Sequence, residues 1–142
     1  MPWPGHDARP TPLRLELDMP PRVTAADPRA DAVRGCVALE RGPLVYCVEA
    51  AAQTAGQRLD DLVVDPEAPV TAKERPDLLG GVVTLTASGR QRPRAEWPDW
   101  WPYGALPPED AAHGEAVELT AVPFFAWGNR EPGAMLVWLP TR

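Results

Sequence analysis

Few residues of this chain have the type and spacing that metal chemistry requires. The cysteines are Cys36 and Cys47, and the histidines are His6 and His113. A protein zinc site uses about four ligands, commonly with a close cysteine pair, and these four residues are too scattered to supply one. A disulfide is conceivable if residues 41–42 form a two-residue hairpin loop, but Pro43 disfavours that register. We therefore expect two buried free thiols and no metal site.

Paired carboxylates would be needed for glycosidase chemistry, with about 5–9 Å between the two groups across a sugar cleft. Asp60-Asp61 and Glu109-Asp110 are adjacent acids near prolines, and we expect them to be solvated surface groups. Glu49 follows an apolar run, and we expect it to pair with Arg41 or Arg130. The sequence therefore assigns no catalytic residue.

A cluster of aromatic residues could contact a ligand. Its members are Trp97, Trp100, Trp101 and Tyr103. Prolines interrupt the cluster, which predicts a loop. Flat rings on a loop can stack on the apolar face of a sugar, and they can equally pack against the core of this domain or against another domain. Both interpretations stay open.

The composition predicts an all-β domain that would position these residues. The chain has 142 residues, 44% of them hydrophobic, which suits a single globular core. It contains 19 prolines and 11 glycines, and no window shows a sustained apolar period of about 3.6 residues. We expect an antiparallel β-sandwich of the jelly-roll type, with long proline-rich loops and little helix.

Alternating apolar and polar residues predict the individual strands. The clearest alternation is at residues 13–19, and it ends at Pro20-Pro21. Residues 34–40 and 44–49 flank Arg41-Gly42-Pro43, which predicts a tight turn or a bulged kink. Shorter strands are predicted at 62–64, 70–74 and 82–87. Residues 23–33 are expected to be a polar connection, and residues 88–94 an exposed turn.

The C-terminal stretch, residues 117–140, is predicted to form a hairpin. Its first strand alternates from residue 117 and continues through Trp127, and its second strand, 134–139, is apolar on both faces. Such a strand is central in a sandwich or is pressed against another domain. We expect Trp127 and Trp138 to be major contributors to the core.

The turn at residues 128–133 carries two polar side chains, Asn129 and Arg130. They could hydrogen-bond a ligand. Alternatively, Asn129 holds the turn and Arg130 forms a salt bridge, and this second interpretation is the one we expect.

The charge pattern excludes some partners. The net charge is −6, and Lys73 is the one lysine among 14 cationic residues. Without a basic patch, nucleic acid binding is not expected. No apolar run reaches the roughly 18 residues that cross a membrane. The first residues lack the cationic start and apolar core of a signal peptide, so a cytoplasmic location is expected if Met1 is the natural start.

Two segments together resemble a known family. They are GCVALERGPLVYCVE at 35–49 and PFFAWGNR at 123–130, the latter followed by MLVWL at 135–139. In this order they are similar to the C-terminal portion of glycoside hydrolase family 127, which includes β-L-arabinofuranosidases. Residues 3–5 and 13–20 also resemble this family. The motif residues are Arg41, Gly42, Pro43, Tyr46, Glu49, Trp127, Asn129, Arg130 and Trp138.

The resemblance implies an architecture in which an N-terminal (α/α)6 barrel performs catalysis and β-sandwich domains follow. The catalytic residues of the family are a zinc-bound cysteine nucleophile and glutamates of the barrel, and none maps onto this chain. The resemblance therefore implies no cofactor in this chain, because the family's zinc belongs to the barrel. Phe124 and Phe125 stand where tyrosines are expected, and Gly128 stands where alanine is common.

The resemblance predicts a non-catalytic accessory module that packs on a catalytic barrel, in cis or in trans. Residues 1–22 would be the end of a preceding β-domain or a first strand, and residues 23–142 would be the C-terminal β-sandwich. A homodimer and a carbohydrate are further partners to test. The alternative function is a carbohydrate-binding module that uses the aromatic loop at residues 97–103.

Overall fold

The computed structural model describes residues 13–93, 103 and 114–141. Within these residues lie nine strands: β1 (Pro21–Ala25), β2 (Cys36–Arg41), β3 (Leu44–Glu49), β4 (Leu62–Val64), β5 (Thr71–Arg75), β6 (Val82–Gln91), β7 (Glu115–Pro123), β8 (Met135–Leu136) and β9 (Leu139–Pro140). Short 3-10 helices occupy Asp31–Val33, Ala50–Ala52, Leu59–Asp61 and Phe124–Ala126. No helix among the described residues is long and apolar enough to span a membrane.

The strands form one curled antiparallel sheet. Its main path runs β1-β2-β3-β7-β6-β4, while β5 pairs with β6, β8 with β3, and β9 with β2. All of these pairings are antiparallel. The sheet has two arms, one formed by β1, β2 and β3 with β8 and β9, and the other by β7, β6 and β4 with β5. The curl brings β9 into contact with β4, so the two arms enclose a core. The predicted all-β antiparallel class is confirmed.

The core lies on the inner face of the curled sheet. Its buried members come from both arms: Val37, Leu39, Tyr46, Val48, Leu59, Leu62, Val64, Leu85, Ala87, Leu119, Ala121 and Leu139. Most are aliphatic, and fully burying one such side chain contributes about 1.5–3 kcal/mol before entropy is counted. The fold is therefore stabilised mainly by apolar burial between the arms.

The hairpin of β2 and β3 is paired only near its turn. The paired residues there are Glu40 with Val45 and Arg41 with Leu44. Gly42, with a φ of +54°, and Pro43 are the turn residues. Beyond this turn the two strands separate, and the C-terminal strands enter the gap: β8 pairs with β3, and β9 pairs with β2.

This register keeps the two cysteines apart. Cys36 pairs with Pro140 and Cys47 pairs with Val122. Both thiols are free, and Cys47 is buried whereas Cys36 is partly exposed. The prediction of two buried thiols is thus confirmed for Cys47 and wrong for Cys36.

The predicted strand at residues 13–19 is not present. Residues 13–20 belong to no strand, and Leu13, Leu15 and Leu17 are 95%, 76% and 64% exposed. Alternation makes a strand only where a neighbouring strand supplies hydrogen bonds, and here no described strand does so. Instead, β1 begins at Pro21, one of the two prolines that were expected to end a strand. The division of the chain near residue 22 stays a prediction.

Two segments expected to be connections are strands. Residues 21–25 pair with β2, and β6 continues past residue 87 to Gln91. The sequence does not indicate this extension, because Gly89 and Arg90 interrupt the β-branched pattern of residues 82–87. Gly89 has a structural reason, since a Cβ there would come within 2.3 Å of the Val63 carbonyl oxygen. The long connection between β6 and β7 lies mostly outside the described residues.

The predicted C-terminal hairpin is wrong in its pairing. β7 and β8 do not pair with each other; both are antiparallel to β3. They therefore run in the same direction and flank β3. The 134–139 stretch forms two separate two-residue strands because it bridges β3 and β2.

Candidate functional site

A crossover segment, residues 124–134, covers the outer face of β3. It must cross β3 because it joins two strands that run in the same direction on either side of it. Phe124–Ala126 begins the crossing as a 3-10 turn, closed by Trp127 N–H donating to the Phe124 carbonyl at 3.2 Å. Gly128, with a φ of +74°, then redirects the chain in a conformation that favours glycine.

The crossover buries a charged group beneath it. Successive strand residues face opposite sides, so Cys47 and Glu49 lie on the outer face, away from Tyr46 and Val48. Glu49 is only 1% exposed. Arg130 Nη2 donates to its Oε2 at 2.7 Å, and Gly128 N–H donates to its Oε1 at 3.3 Å.

This geometry decides between the two partners expected for Glu49. Arg41 pairs with Leu44, which places it on the inner face with Tyr46, so the sheet separates it from Glu49. Arg130 reaches Glu49 from the crossover. Asn129 Nδ2 donates to the Ala126 carbonyl at 3.1 Å. Asn129 and Arg130 thus hold the crossover turn through bonds within this domain.

Gln53 ties the same region to β7. Its Nε2 donates to the Thr120 carbonyl at 2.7 Å and to the Glu49 carbonyl at 2.9 Å, and its Oε1 accepts from Thr120 N–H at 3.1 Å. The side-chain amide thus takes the place of a neighbouring strand where β7 extends beyond β3. No sequence pattern indicated this role.

The buried thiol near this site is not a nucleophile at neutral pH. Burial, with a smaller effect from the neighbouring Glu49 carboxylate, raises the pKa of Cys47 to about 11. A thiol with so high a pKa is almost entirely protonated, whereas nucleophilic attack requires the thiolate. Cys47 therefore acts as a small apolar residue.

On the inner face, two motif residues leave polar atoms unpaired. Arg41 Nε and the Tyr46 hydroxyl are buried without a hydrogen-bond partner among the described residues. Burial raises the pKa of the Tyr46 phenol, and the nearby positive charge of Arg41 opposes this rise.

The outer surface of the crossover is aromatic and exposed. Phe124, Phe125 and Trp127 are 45%, 68% and 42% exposed, and the adjacent Val45 on β3 is 38% exposed. Phe124 and Trp127 stack with centroids 6.3 Å apart and planes at 16°. We call these four residues the aromatic cap.

The prediction that Trp127 fills the core is wrong, because the crossover turns its ring outward, and Trp138 is only partly buried.

The predicted aromatic loop, residues 97–103, falls within the connection between β6 and β7. Trp97, Trp100 and Trp101 fall outside the described residues, and Tyr103 is 72% exposed. The connection that contains them leaves and returns beside the Gln91–Glu115 pair. β7 runs from there to the cap over nine residues, about 27 Å. The cap thus lies at the end of β7 opposite the Gln91–Glu115 pair.

The described residues do not form a metal-ligand cluster, and Asp61 of the predicted acidic pairs contacts an arginine. Among residues 13–93, 103 and 114–141, no group of three or more His, Cys, Asp or Glu side chains could hold a metal ion. The expectation that this chain holds no metal site stays a prediction, because His6 and His113 fall outside the described residues. Asp61 pairs with Arg58 at 3.3 Å, and Glu109-Asp110 is not described.

The described residues define an antiparallel β domain with a buried ion pair beneath an exposed aromatic surface. The chain belongs to the family described as the glycoside hydrolase family 127 C-terminal domain, whose profile matches residues 21–140. The resemblance seen in the sequence is thereby confirmed.

Longer proteins contain the same domain. A non-reducing end β-L-arabinofuranosidase of Bifidobacterium longum subsp. longum is 36% identical over 129 residues, which is 89% of this chain and 19% of that protein. A family 127 β-L-arabinofuranosidase structure from Geobacillus stearothermophilus T6 superposes with a TM-score of 0.72 at 35% identity, over 87% of this chain and 18% of the other. A structure of another family 127 β-arabinofuranosidase gives 0.68 at 29% identity, over 88% and 18%. The chain thus spans about a fifth of these relatives.

Proposed function

We propose that this chain is a non-catalytic accessory module of a family 127 glycoside hydrolase of the β-L-arabinofuranosidase type. Its role is to pack on a catalytic domain, expected from the family resemblance to be an (α/α)6 barrel. The observation that carries the proposal is the coverage: nearly all of this chain matches less than a fifth of the Geobacillus enzyme. The remaining four fifths offer the room for the catalytic machinery.

The chemistry of the described site supports a structural role. The buried carboxylate of Glu49 is bound by Arg130 and Gly128 N–H, so it is not free to act as an acid, base or nucleophile. The thiol of Cys47 is protonated at neutral pH because its pKa is about 11. Neither group is poised for the two-carboxyl chemistry of glycoside hydrolysis.

Co-expression tests this proposal. The full 142-residue chain is co-expressed with a Geobacillus enzyme that lacks its own matched region. We expect the two to co-purify, and we expect this chain to increase the yield of soluble arabinofuranosidase. This chain alone should release no arabinose from a β-L-arabinofuranoside. Failure to co-purify would contradict the packing role, and hydrolysis by the isolated chain would contradict the non-catalytic role.

The alternative is a carbohydrate-binding module, which the exposure of Tyr103 favours. Calorimetric titration with arabinose-containing oligosaccharides tests it. Binding that is lost on Tyr103→Ala would support this function, and no heat at millimolar ligand would exclude it.

A further inference from the structure

We propose that the aromatic cap, formed by Val45, Phe124, Phe125 and Trp127, is the surface on which the upstream part of a family 127 chain docks. This inference rests on the proposed function, since it names the surface through which the module would pack on its catalytic partner. Exposed contiguous aromatic surface is costly in water and marks interaction sites. Aromatic residues are also enriched in the buried centres of protein interfaces.

The cap is one continuous surface. Pro123 ends β7 opposite Tyr46, the neighbour of Val45, and the 3-10 turn Phe124–Ala126 that follows contacts β3. Phe124 in turn stacks on Trp127, and Phe125, at 68%, is the most exposed ring of the three. A partner can therefore cover all four side chains at once.

The polar groups around the cap suit a protein partner better than a sugar. A sugar site needs free hydrogen-bonding groups beside its aromatic platform. Here the Glu49 carboxylate is bound by Arg130 and Gly128, and the Asn129 amide is bound to the Ala126 carbonyl. The Phe124 and Trp127 rings lie nearly parallel, with centroids 6.3 Å apart. The cap itself exposes apolar surface, and the Glu49 carboxylate and the Asn129 amide nitrogen beside it are already paired.

The path of the chain indicates which protein covers the cap. The matched family region is a C-terminal domain, so the rest of a family 127 chain lies upstream. The polypeptide enters the domain through residues 13–20, where Met19 packs over Gly42 at the β2–β3 turn. Pro21 then pairs with Arg41, next to the Glu40–Val45 pair. Neighbouring strands are about 4.8 Å apart, so the entry lies within about 15 Å of the cap.

The test measures association of the full chain with the truncated Geobacillus enzyme, using cap variants. Phe125→Ser removes the most exposed ring, and Phe125→Ser with Trp127→Ser removes two. Lys73→Ser, on the exposed strand β5, is the matched control. We expect the cap variants to weaken association by about tenfold or more and the control to leave it unchanged. Thermal unfolding of each isolated variant verifies folding, and the single Phe125 variant keeps the test valid if the double variant unfolds.

The outcomes separate this inference from the function on which it rests. If the complex forms with equal affinity for wild type and folded cap variants, docking elsewhere is shown and the cap inference is wrong, while the proposed function stands. If neither the wild-type chain nor any variant associates with the truncated enzyme, the proposed function itself is contradicted. Hydroxyl-radical footprinting of the complex should protect the cap rings. Protection by arabinose-containing oligosaccharides, or by self-association of this chain alone, would instead assign the cap to a sugar or to a second copy.

Discussion

Glu49 is a carboxylate at the end of β3 that is 1% exposed, and two donors from the crossover keep it satisfied. Replacing Arg130 by alanine would leave its charge buried with Gly128 N–H as the remaining donor. Breaking a buried ion pair from one side costs about 3–5 kcal/mol. Because Arg130 is partly exposed and water can enter, we expect the Arg130→Ala variant to lose about 3 kcal/mol of unfolding free energy, measured by urea denaturation.

The neighbouring residue provides the control for this prediction. Glu131 is exposed on the same turn, so Glu131→Ala should change the unfolding free energy by less than about 0.5 kcal/mol. The double variant Glu49→Gln, Arg130→Ala should lose less than the sum of the single losses, because neither charge is then left alone. Equal stability of Arg130→Ala and Glu131→Ala would show that the ion pair is not needed.

The Cys47 thiol makes stability depend on pH in the alkaline range. Its pKa rises from an ordinary 9.0 to about 11 in the folded state, so between these values the folded protein keeps a proton that the unfolded chain has released. The contribution of the protonated thiol to the unfolding free energy is complete below pH 9 and is lost as the pH rises through 11. The expected loss is about 2–3 kcal/mol, from about 1.4 kcal/mol per pKa unit.

Comparison with a Cys47→Ala variant isolates this contribution from other alkaline titrations. The unfolding free energy of wild type should fall more steeply between pH 9 and 11 than that of the variant. Parallel curves would mean that the thiol ionises as easily in the folded protein as in the unfolded chain.

Among the elements, the edge of β7 depends on a side chain rather than on a strand. Gln53 satisfies both the N–H and the carbonyl of Thr120. Gln53→Ala would leave both groups unpaired in a partly buried position, at a cost of about 1–3 kcal/mol. Gln57 is the matched control, because its amide makes long bonds in an exposed position: Oε1 accepts from Thr54 N–H at 3.3 Å, and Nε2 donates to the Glu118 carbonyl at 3.4 Å.

Thermal unfolding and amide exchange at Thr120 measure this effect. We expect the Gln53 variant to lower the unfolding temperature and to speed exchange at Thr120, and the Gln57→Ala variant to change both little. Slow exchange at Thr120 in the Gln53 variant would mean that another group protects this edge.

How well each element could be predicted depends on how far apart in the sequence its interacting residues lie. Strands β2, β3 and β4 were predictable because apolar alternation and the Gly42-Pro43 turn are local signals. The separation of β2 from β3 was not, since it depends on Leu139 arriving about 100 positions later to pair with Val37. Likewise, the partner of Glu49 could be narrowed to two arginines, but the choice required knowing which face of the sheet each occupies.

The exposure of Trp127 was unpredictable for the same reason. A tryptophan in an apolar run is normally core, and only the pairing of β7 and β8 on opposite sides of β3 forces residues 124–134 to cross the outer face. The two motif segments, residues 41–49 and 123–130, do meet around β3.

At the scale of the whole molecule, the C-terminal strands connect the two arms of the sheet. β8 pairs with β3 and β9 pairs with β2, and β9 also contacts β4. Leu139 is 2% exposed within the core. Without this segment, β2 and β3 would be held together by the pairs nearest their turn alone. The last residues should therefore be needed for cooperative folding of both arms.

Leu139→Ala tests this role without removing any backbone. Truncating a buried leucine leaves a cavity and costs about 2–5 kcal/mol, and here the cavity lies where β9, β2 and β4 meet. Leu139→Met keeps the volume and should cost less than about 1.5 kcal/mol. In amide exchange, the alanine variant should lose protection in β2 and β4 together, because both arms pack on this residue. Loss confined to β9 would show instead that the segment frays independently and that the two arms are held together by the remaining core.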